Sequence, residues 1–212
     1  IALDYDKNAI RKIILAGRSA ANISGGNAGS SQNNAGGDTA PAACAHADMD
    51  TDAGVFTDGV YAAAQRLDEY NVPKNRYCFL KWSMFYKLLQ LPTTTTRISP
   101  LNMDYSMDNG DFGKGQLKQI AGVTLIPTNQ IPTADESGTP TPTGASSVYG
   151  ANYTFTEGIV FTPYATGVLT VADVKLEAEY RQELRGTFTT ASKIYGMGIL
   201  QPEHVVELCN NP

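Results

Sequence analysis

The sequence predicts an α+β fold: three amphipathic helices, a group of short strands, and one β-element too long for the body that carries it. Three observations lead there. First, Val174 to Arg185 alternates without a slip. Val174, Leu176, Ala178, Tyr180, Gln182 and Leu184 share one face, and Lys175, Glu177, Glu179, Arg181, Glu183 and Arg185 share the other. A period of two is the strand signature. Second, apolar residues recur at helical spacing near the N-terminus and again between residues 58 and 91. Third, short β-prone runs bounded by Gly, Pro and Asn fill much of the remainder.

The elements follow in order. Leu3, Ile10, Ile13, Ile14 and Ala21 line one side of a helix that stops near Asn22, with Asp6, Lys7, Arg11, Lys12 and Arg18 between them. The chain opens on Ile1 inside this helix, which reads as the end of a longer one. Ser24 to Gly37 is Gly-, Asn- and Ser-rich, a loop by composition, and nothing periodic returns before Asp52. Asp58 is placed to cap a helix through Tyr70, with Val60, Ala63, Ala64 and Leu67 inward and Val72-Pro73 as its stop. Arg76 to Leu80 reads as a strand, and Ser83 as the cap of a helix from Met84 to Leu91. Thr93 to Thr96 reads as a loop, and Asn109-Gly110 and Gly113 to Gly115 as turns. Gln116 to Ile120 and Val123 to Ile126 form a hairpin across Ala121-Gly122. Thr133 to Ser147 is an exposed Pro/Thr/Gly loop. Ile159 to Phe161 and Gly167 to Val171 are strands, followed by the long element.

That element, at about 3.3 Å per residue, would extend on the order of 40 Å, against a usual strand of about 5–6 residues. It reads as a ribbon with an apolar face for its own domain and a mixed-charge face for something else. Gly186 breaks it, and Thr187 to Leu200 returns as its partner. A helix is the competing reading, since Leu176, Tyr180 and Leu184 are four apart, but it leaves charges on every side.

Composition narrows the function. The chain has 212 residues, 42% hydrophobic and 17% charged, with a net charge of -5. No basic stripe is present, which argues against reading nucleic-acid sequence. No run of about 18 apolar residues implies a membrane span. Cys44, Cys78 and Cys209 lack any CxxC spacing and read as reduced thiols that bind no metal.

Chemical motifs are weak. Asp48, Asp50 and Asp52 imitate the start of a calcium loop, but Ala53 and Gly59 stand where that loop needs Gly and a bidentate Glu. Cys44 and His46 are too few for a metal site. Lys114 lies in a Gly-rich turn without phosphate-loop spacing, and there is no GxSxG elbow. Glu177 and Glu179, flanked by Lys175 and Arg181, read as an ion-pair network rather than an acid-base couple. Asn22 and Asn152 match the glycosylation acceptor pattern, which means little without a secretion signal. Trp82, Phe85 and Tyr86 read as core. No catalytic residue, cofactor or metal site is expected.

Several segments, in order, carry a resemblance: the helix end from Tyr5 to Ala16, Leu67 to Pro73 with the strand Arg76 to Leu80, the hairpin Gly115 to Ile126, Gly158 to Val171, and Tyr195 to Glu203. Together they resemble the major capsid proteins of short-tailed double-stranded DNA phages, with the Hong Kong 97-like fold. The resemblance implies that residues 1–22 end a spine helix and 23–57 form a loop. It implies that 58–171 form an axial domain gathering at the centres of hexamers and pentamers, and that 172–212 form a peripheral ribbon and C-terminus meeting neighbours near threefold positions. It further implies a structural protein of the virion capsid, assembled in the host cytoplasm. The implied partners are copies of itself, portal, scaffolding and decoration proteins, and packaged DNA held without sequence-specific contacts. No partner residue of the family's Lys–Asn cross-link can be matched. Lys175, Glu177, Glu179, Arg181, Glu183 and Arg185 are the expected intersubunit contacts. The other readings are a cellular encapsulating shell of the same fold, a soluble enzyme, and a binding module using the Thr-rich loops.

Overall fold

The computed structural model describes residues 2–19, 22, 44–90, 110–111, 116–136 and 148–210. Helix α1 spans Ala2–Gly17 and buries Ile10, Ile13, Ile14 and Ala16. Leu3, read on the same stripe, is exposed. At that end the helix meets Tyr195 through Tyr5 and Asn8 instead of an apolar sheet. Ala21, most of the Gly-rich segment, the turns near 93–96, 109 and 113–115, and residues 137–147 lie outside the described residues.

Helix α2 spans Ala53–Glu69, six residues longer at its start than the Asp58 cap implies. Asp52 is the cap instead: its carboxylate accepts the Gly54 N–H at 2.7 Å, satisfying one of the orphan donors of the first turn. Residues 53–57, expected in a loop, are therefore helical, and Phe56 joins the inward stripe of Val60, Ala63, Ala64 and Leu67. Asn71 at φ 57° ends the helix, a left-handed conformation that Asn tolerates. Helix α3 spans Trp82–Leu89 with Lys81 at its N-cap and no side-chain cap bond, so Ser83 lies inside the helix and caps nothing.

Strands β1 (Arg76–Leu80), β4 (Gln119–Ile120), β5 (Val123–Pro127), β6 (Thr156–Phe161) and β9 (Val205–Cys209) form one sheet in the order β4-β5-β1-β6-β9. β1 is parallel to β5 and antiparallel to β6. The β4–β5 turn is the expected one, with Ala121 at φ 53° and Gly122 at φ 74°, but only Gln119–Ile120 of the expected first strand pair across it, because Gln116 and Leu117 pair with Gly110 and Asp111 instead. Strands β2 (Gly110–Asp111) and β3 (Gln116–Leu117) form a small separate pair. On one face of the sheet Cys78, Leu80, Val160, Val206 and Leu208 pack with α2 and α3. On the other, Ile159, Phe161 and Val205 pack with Ile10, Ile13 and Ile14 of α1. With both faces covered, β6 and β9 are buried throughout, including Glu157 of β6 and Glu207 of β9.

The ribbon leaves this body between β6 and β9. Strand β7 spans Thr166–Arg181 and pairs antiparallel with β8, Gly186–Ile199. The run Gly167 to Val171 is thus part of one 16-residue strand rather than a separate one. At about 3.3 Å per residue it reaches roughly 50 Å. The strand ends at Arg181, not Arg185, because residues 182–185 form the turn, with Arg185 at φ 48°. After β8 the chain passes a 3-10 turn at Pro202–His204 and re-enters the sheet as β9, beside β6.

Candidate functional site

The ribbon has a fixed root and a free tip. At the root, Thr162 N–H donates to the His204 carbonyl at 3.2 Å, and Thr162 Oγ1 meets His204 Nδ1 at 2.8 Å. The Leu200 and Gln201 N–H groups both donate to the Ala165 carbonyl. Gly167 lets Leu200 lie close: a Cβ there would stand 3.0 Å from the end of the Leu200 side chain, which would have to turn aside. Helix α1 braces one face. Tyr5 and Tyr195 pack edge-on at 5.0 Å, Asn8 Nδ2 donates to the Tyr195 hydroxyl at 3.0 Å, and Lys193 Nζ lies over the Tyr5 ring at 4.5 Å.

Along β8, Lys193, Tyr195, Met197 and Ile199 turn toward the body, while Ile194, Gly196 and Gly198 turn away. Register shifts between Thr170 and Lys175 mark bulges in β7. Beyond them, opposed residues share a face. Lys175 with Ser192, Glu177 with Thr190, Glu179 with Phe188 and Arg181 with Gly186 lie on the face away from α1. Leu176 with Ala191, Ala178 with Thr189 and Tyr180 with Thr187 lie on the α1 side.

The charged row is therefore one surface, as alternation implies, for Lys175, Glu177, Glu179 and Arg181. Lys175 Nζ pairs with Glu177 at 2.5 Å, and the Arg181 guanidinium stacks 4.6 Å over the Phe188 ring. Glu179 has no ion pair among the described residues. Glu183 and Arg185 sit in the turn and extend the charge around the tip. The apolar row departs from expectation. It lies on the α1 side but is not covered by its own domain: Leu176 is 68% and Tyr180 63% exposed, and Val174 and Leu184 are exposed too. Among the described residues the bracing contacts of α1 lie at Lys193 and Tyr195, and the ladder runs on from there to Arg181 and Gly186.

The other candidate groups have local roles. Asp52 caps α2 and Asp48 lies 3.8 Å from His46. No group of three or more metal-ligating side chains occurs among the described residues. Cys44, Cys78 and Cys209 are free and buried, and burial pushes the Cys44 and Cys78 thiols up to about 12. Phe85 is core, but Trp82 and Tyr86 are exposed, correcting the reading of all three as core. An eight-residue helix on the sheet surface has only one inward side. Asn22 is buried, its amide donating to the Gly17 and Val205 carbonyls. No described helix is long and apolar enough to cross a membrane.

Sequence reasoning missed three buried ionic anchors. Arg18 bonds Glu207 through Nε and Nη2, Arg11 bonds Glu136 in the same forked manner, and Arg76 donates to Asp68 and to the carbonyls of Ala64, Val72 and Pro73. Arg11 and Arg18 read as the polar side of a helix. Only the partners, more than a hundred residues away, reveal them as buried.

The model of the Gp10A-like family, described as major capsid protein, matches residues 1–209. The chain belongs to that family. Comparison with curated proteins gives no match. Among solved structures it is similar to the capsid of cyanophage P-SCSP1u, at 27% identity and a TM-score of 0.74, over 98% of this chain and 62% of that one. The bacteriophage PhiM1 mature capsid aligns at 18% identity and TM-score 0.61, over 100% and 62% of the two chains. Mycobacterium phage Che8 aligns at 16% and 0.59, over 97% and 58%. The chain thus spans about 62% of the length of the first two capsid chains. These likenesses identify the α+β arrangement as a phage-capsid fold. Membership in a major capsid protein family favours the structural expectation over an enzyme or an adhesive module.

Proposed function

We propose that this chain is the shell-forming part of a phage head protein, assembling with copies of itself into hexamers and pentamers of an icosahedral container for double-stranded DNA. The observation that carries this reading is the ribbon. It projects from a well-packed body, and its charged row is satisfied only in part among the described residues. Lys175, Glu177, Glu179 and Arg181, with Glu183 and Arg185 at the tip, are the proposed contacts with neighbouring copies. Opposite charges there fix register and like charges penalise wrong pairing. Residues 58–165 would supply the axial domain and the ribbon, from Thr166 to Ile199, the peripheral one. The net charge of -5 suits a wall that does not trap its cargo. Portal, scaffolding and decoration proteins would be further partners, with assembly in the host cytoplasm and a final place in the virion. Electron microscopy of the purified full-length protein tests this: rings or shells are expected, and a permanent monomer at high concentration overturns it.

A further inference from the structure

The ribbon carries two exposed apolar patches, on opposite faces and near opposite ends, and we infer that the tip patch of one copy lies on the root patch of the next copy. This rests on the proposal that the chain builds a shell from copies of itself, and adds an apolar contact to the charged one. The tip patch is the uncovered row on the α1 side, where Leu176 and Tyr180 are exposed with Ala178 between them. The root patch is on the face turned away from α1. Leu169 and Ile194 are exposed there, at 71% and 59%, and Leu200, also exposed, lies against Gly167 on the same face. Beside them Gly196 and Gly198 present bare backbone.

The glycines mark the root patch as a place of close approach. Glycine inside a strand costs conformational entropy and packs nothing, so it needs a reason. Among the described residues neither Gly196 nor Gly198 has one in its own subunit. Neither has a positive φ, and a Cβ on either would meet nothing within 4 Å. Such a strand glycine marks the approach of another chain. What approaches must be apolar, since Leu169, Ile194 and Leu200 flank the bare backbone. The Tyr180 ring and Leu176 of a neighbouring ribbon have that character and are uncovered in their own subunit. Membership in a major capsid protein family supplies the second copy. The placement of the patches then decides the symmetry. They are roughly 30 Å apart along the strand and on opposite faces. Two ribbons cannot exchange them reciprocally, because each would have to lie both above and below the other. A twofold pairing is therefore excluded, and the contact runs head to tail and closes as a ring. A ring of three agrees with the threefold position expected of the ribbon. The charged row of each tip lies on the face opposite this contact and points outward.

Two measurements on the full-length protein test this. Gly196→Thr with Gly198→Thr should leave the unfolding midpoint unchanged or raised, because Thr suits an open strand position. The same change should lower particle yield by about tenfold or more, because the added side chains hold the neighbouring tip away. A yield equal to the parent's overturns the inference. Ala178→Cys and Ala172→Cys place thiols in the tip and root patches, while Cys44, Cys78 and Cys209 are buried. A flexible bismaleimide added to assembled particles of the double variant should give a ladder on a denaturing gel that passes the dimer and ends at the trimer. Either change alone should leave monomers. Cross-linking that stops at the dimer, or is absent from particles that form normally, overturns the inference and leaves the shell proposal standing. A parent protein that never assembles overturns the shell proposal, and the inference with it.

Discussion

Arg18 and Glu207, 189 residues apart, meet in a two-pronged ion pair from which solvent is almost wholly excluded: Nε to Oε2 is 2.8 Å and Nη2 to Oε1 is 2.7 Å. The pair joins the end of α1 to the edge strand β9. Arg18 also donates to Thr156 Oγ1 and the Asn152 carbonyl, and the Thr156 hydroxyl donates to Glu207. Burial acts to lower the Arg18 pKa, but the adjacent Glu207 outweighs it and the net shift is upward.

Arg18→Met should therefore destabilise the subunit by about 3–5 kcal/mol, because it strands a buried carboxylate. An Arg18→Met, Glu207→Leu double change should recover much of that loss, since no uncompensated charge remains. Denaturant unfolding of Arg18→Met, Glu207→Leu and the double variant checks this. A double variant as unstable as the sum of its parts refutes it.

Reversal of Arg181 and Arg185 to Glu should leave the unfolding midpoint near the parent value, because exposed ion contacts contribute about 0–1 kcal/mol each. Particle yield should fall, because every copy in a shell repeats the penalty. Normal particles would mean that this face is only solvated surface.

Leu176→Ser with Tyr180→Ser should be tolerated by the isolated subunit. Neither side chain is buried in it, so no core contact is lost. Unfolding monitored by circular dichroism should be unchanged. A large loss of stability would restore the reading that this row serves the chain's own domain.

His204 predicts the sign of one pH effect. Burial holds its pKa below the ordinary value of 6.5, with Glu203 opposing. The unfolded chain then binds this proton more readily than the folded one. The stability associated with a neutral His204 is present above 6.5 and is lost as pH falls through that value toward the folded pKa. Unfolding measured from pH 8 to 5 should show a slope that His204→Asn reduces. An identical slope in the variant rules out this assignment.

Cys44 and Cys78 should resist alkylation in the native protein at pH 8 and react on unfolding, because burial pushes both thiols up to about 12. Mass spectrometry after brief labelling reads this directly. Rapid native labelling would show that the core opens far more easily than its packing implies.

Local pattern was sufficient for the helical stripe of α1 from Ile10 to Ile14, the inward side of α2, the Ala121-Gly122 turn and the existence of a β-ribbon. Each rests on a period or a turn written in neighbouring residues. The start of α2 was misplaced because Asp52 and Asp58 are equally good caps by composition, and only the packing of Phe56 against the sheet carries the helix back to Ala53. Alternation along residues 174–181 settled which side chains share a face, since the pleat permits nothing else. It could not settle what covers them, because coverage depends on how far α1 reaches along the strands. The buried arginines show the same limit: a charge looks solvated until a carboxylate distant in sequence is folded against it, and only tertiary structure brings Glu207 to Arg18.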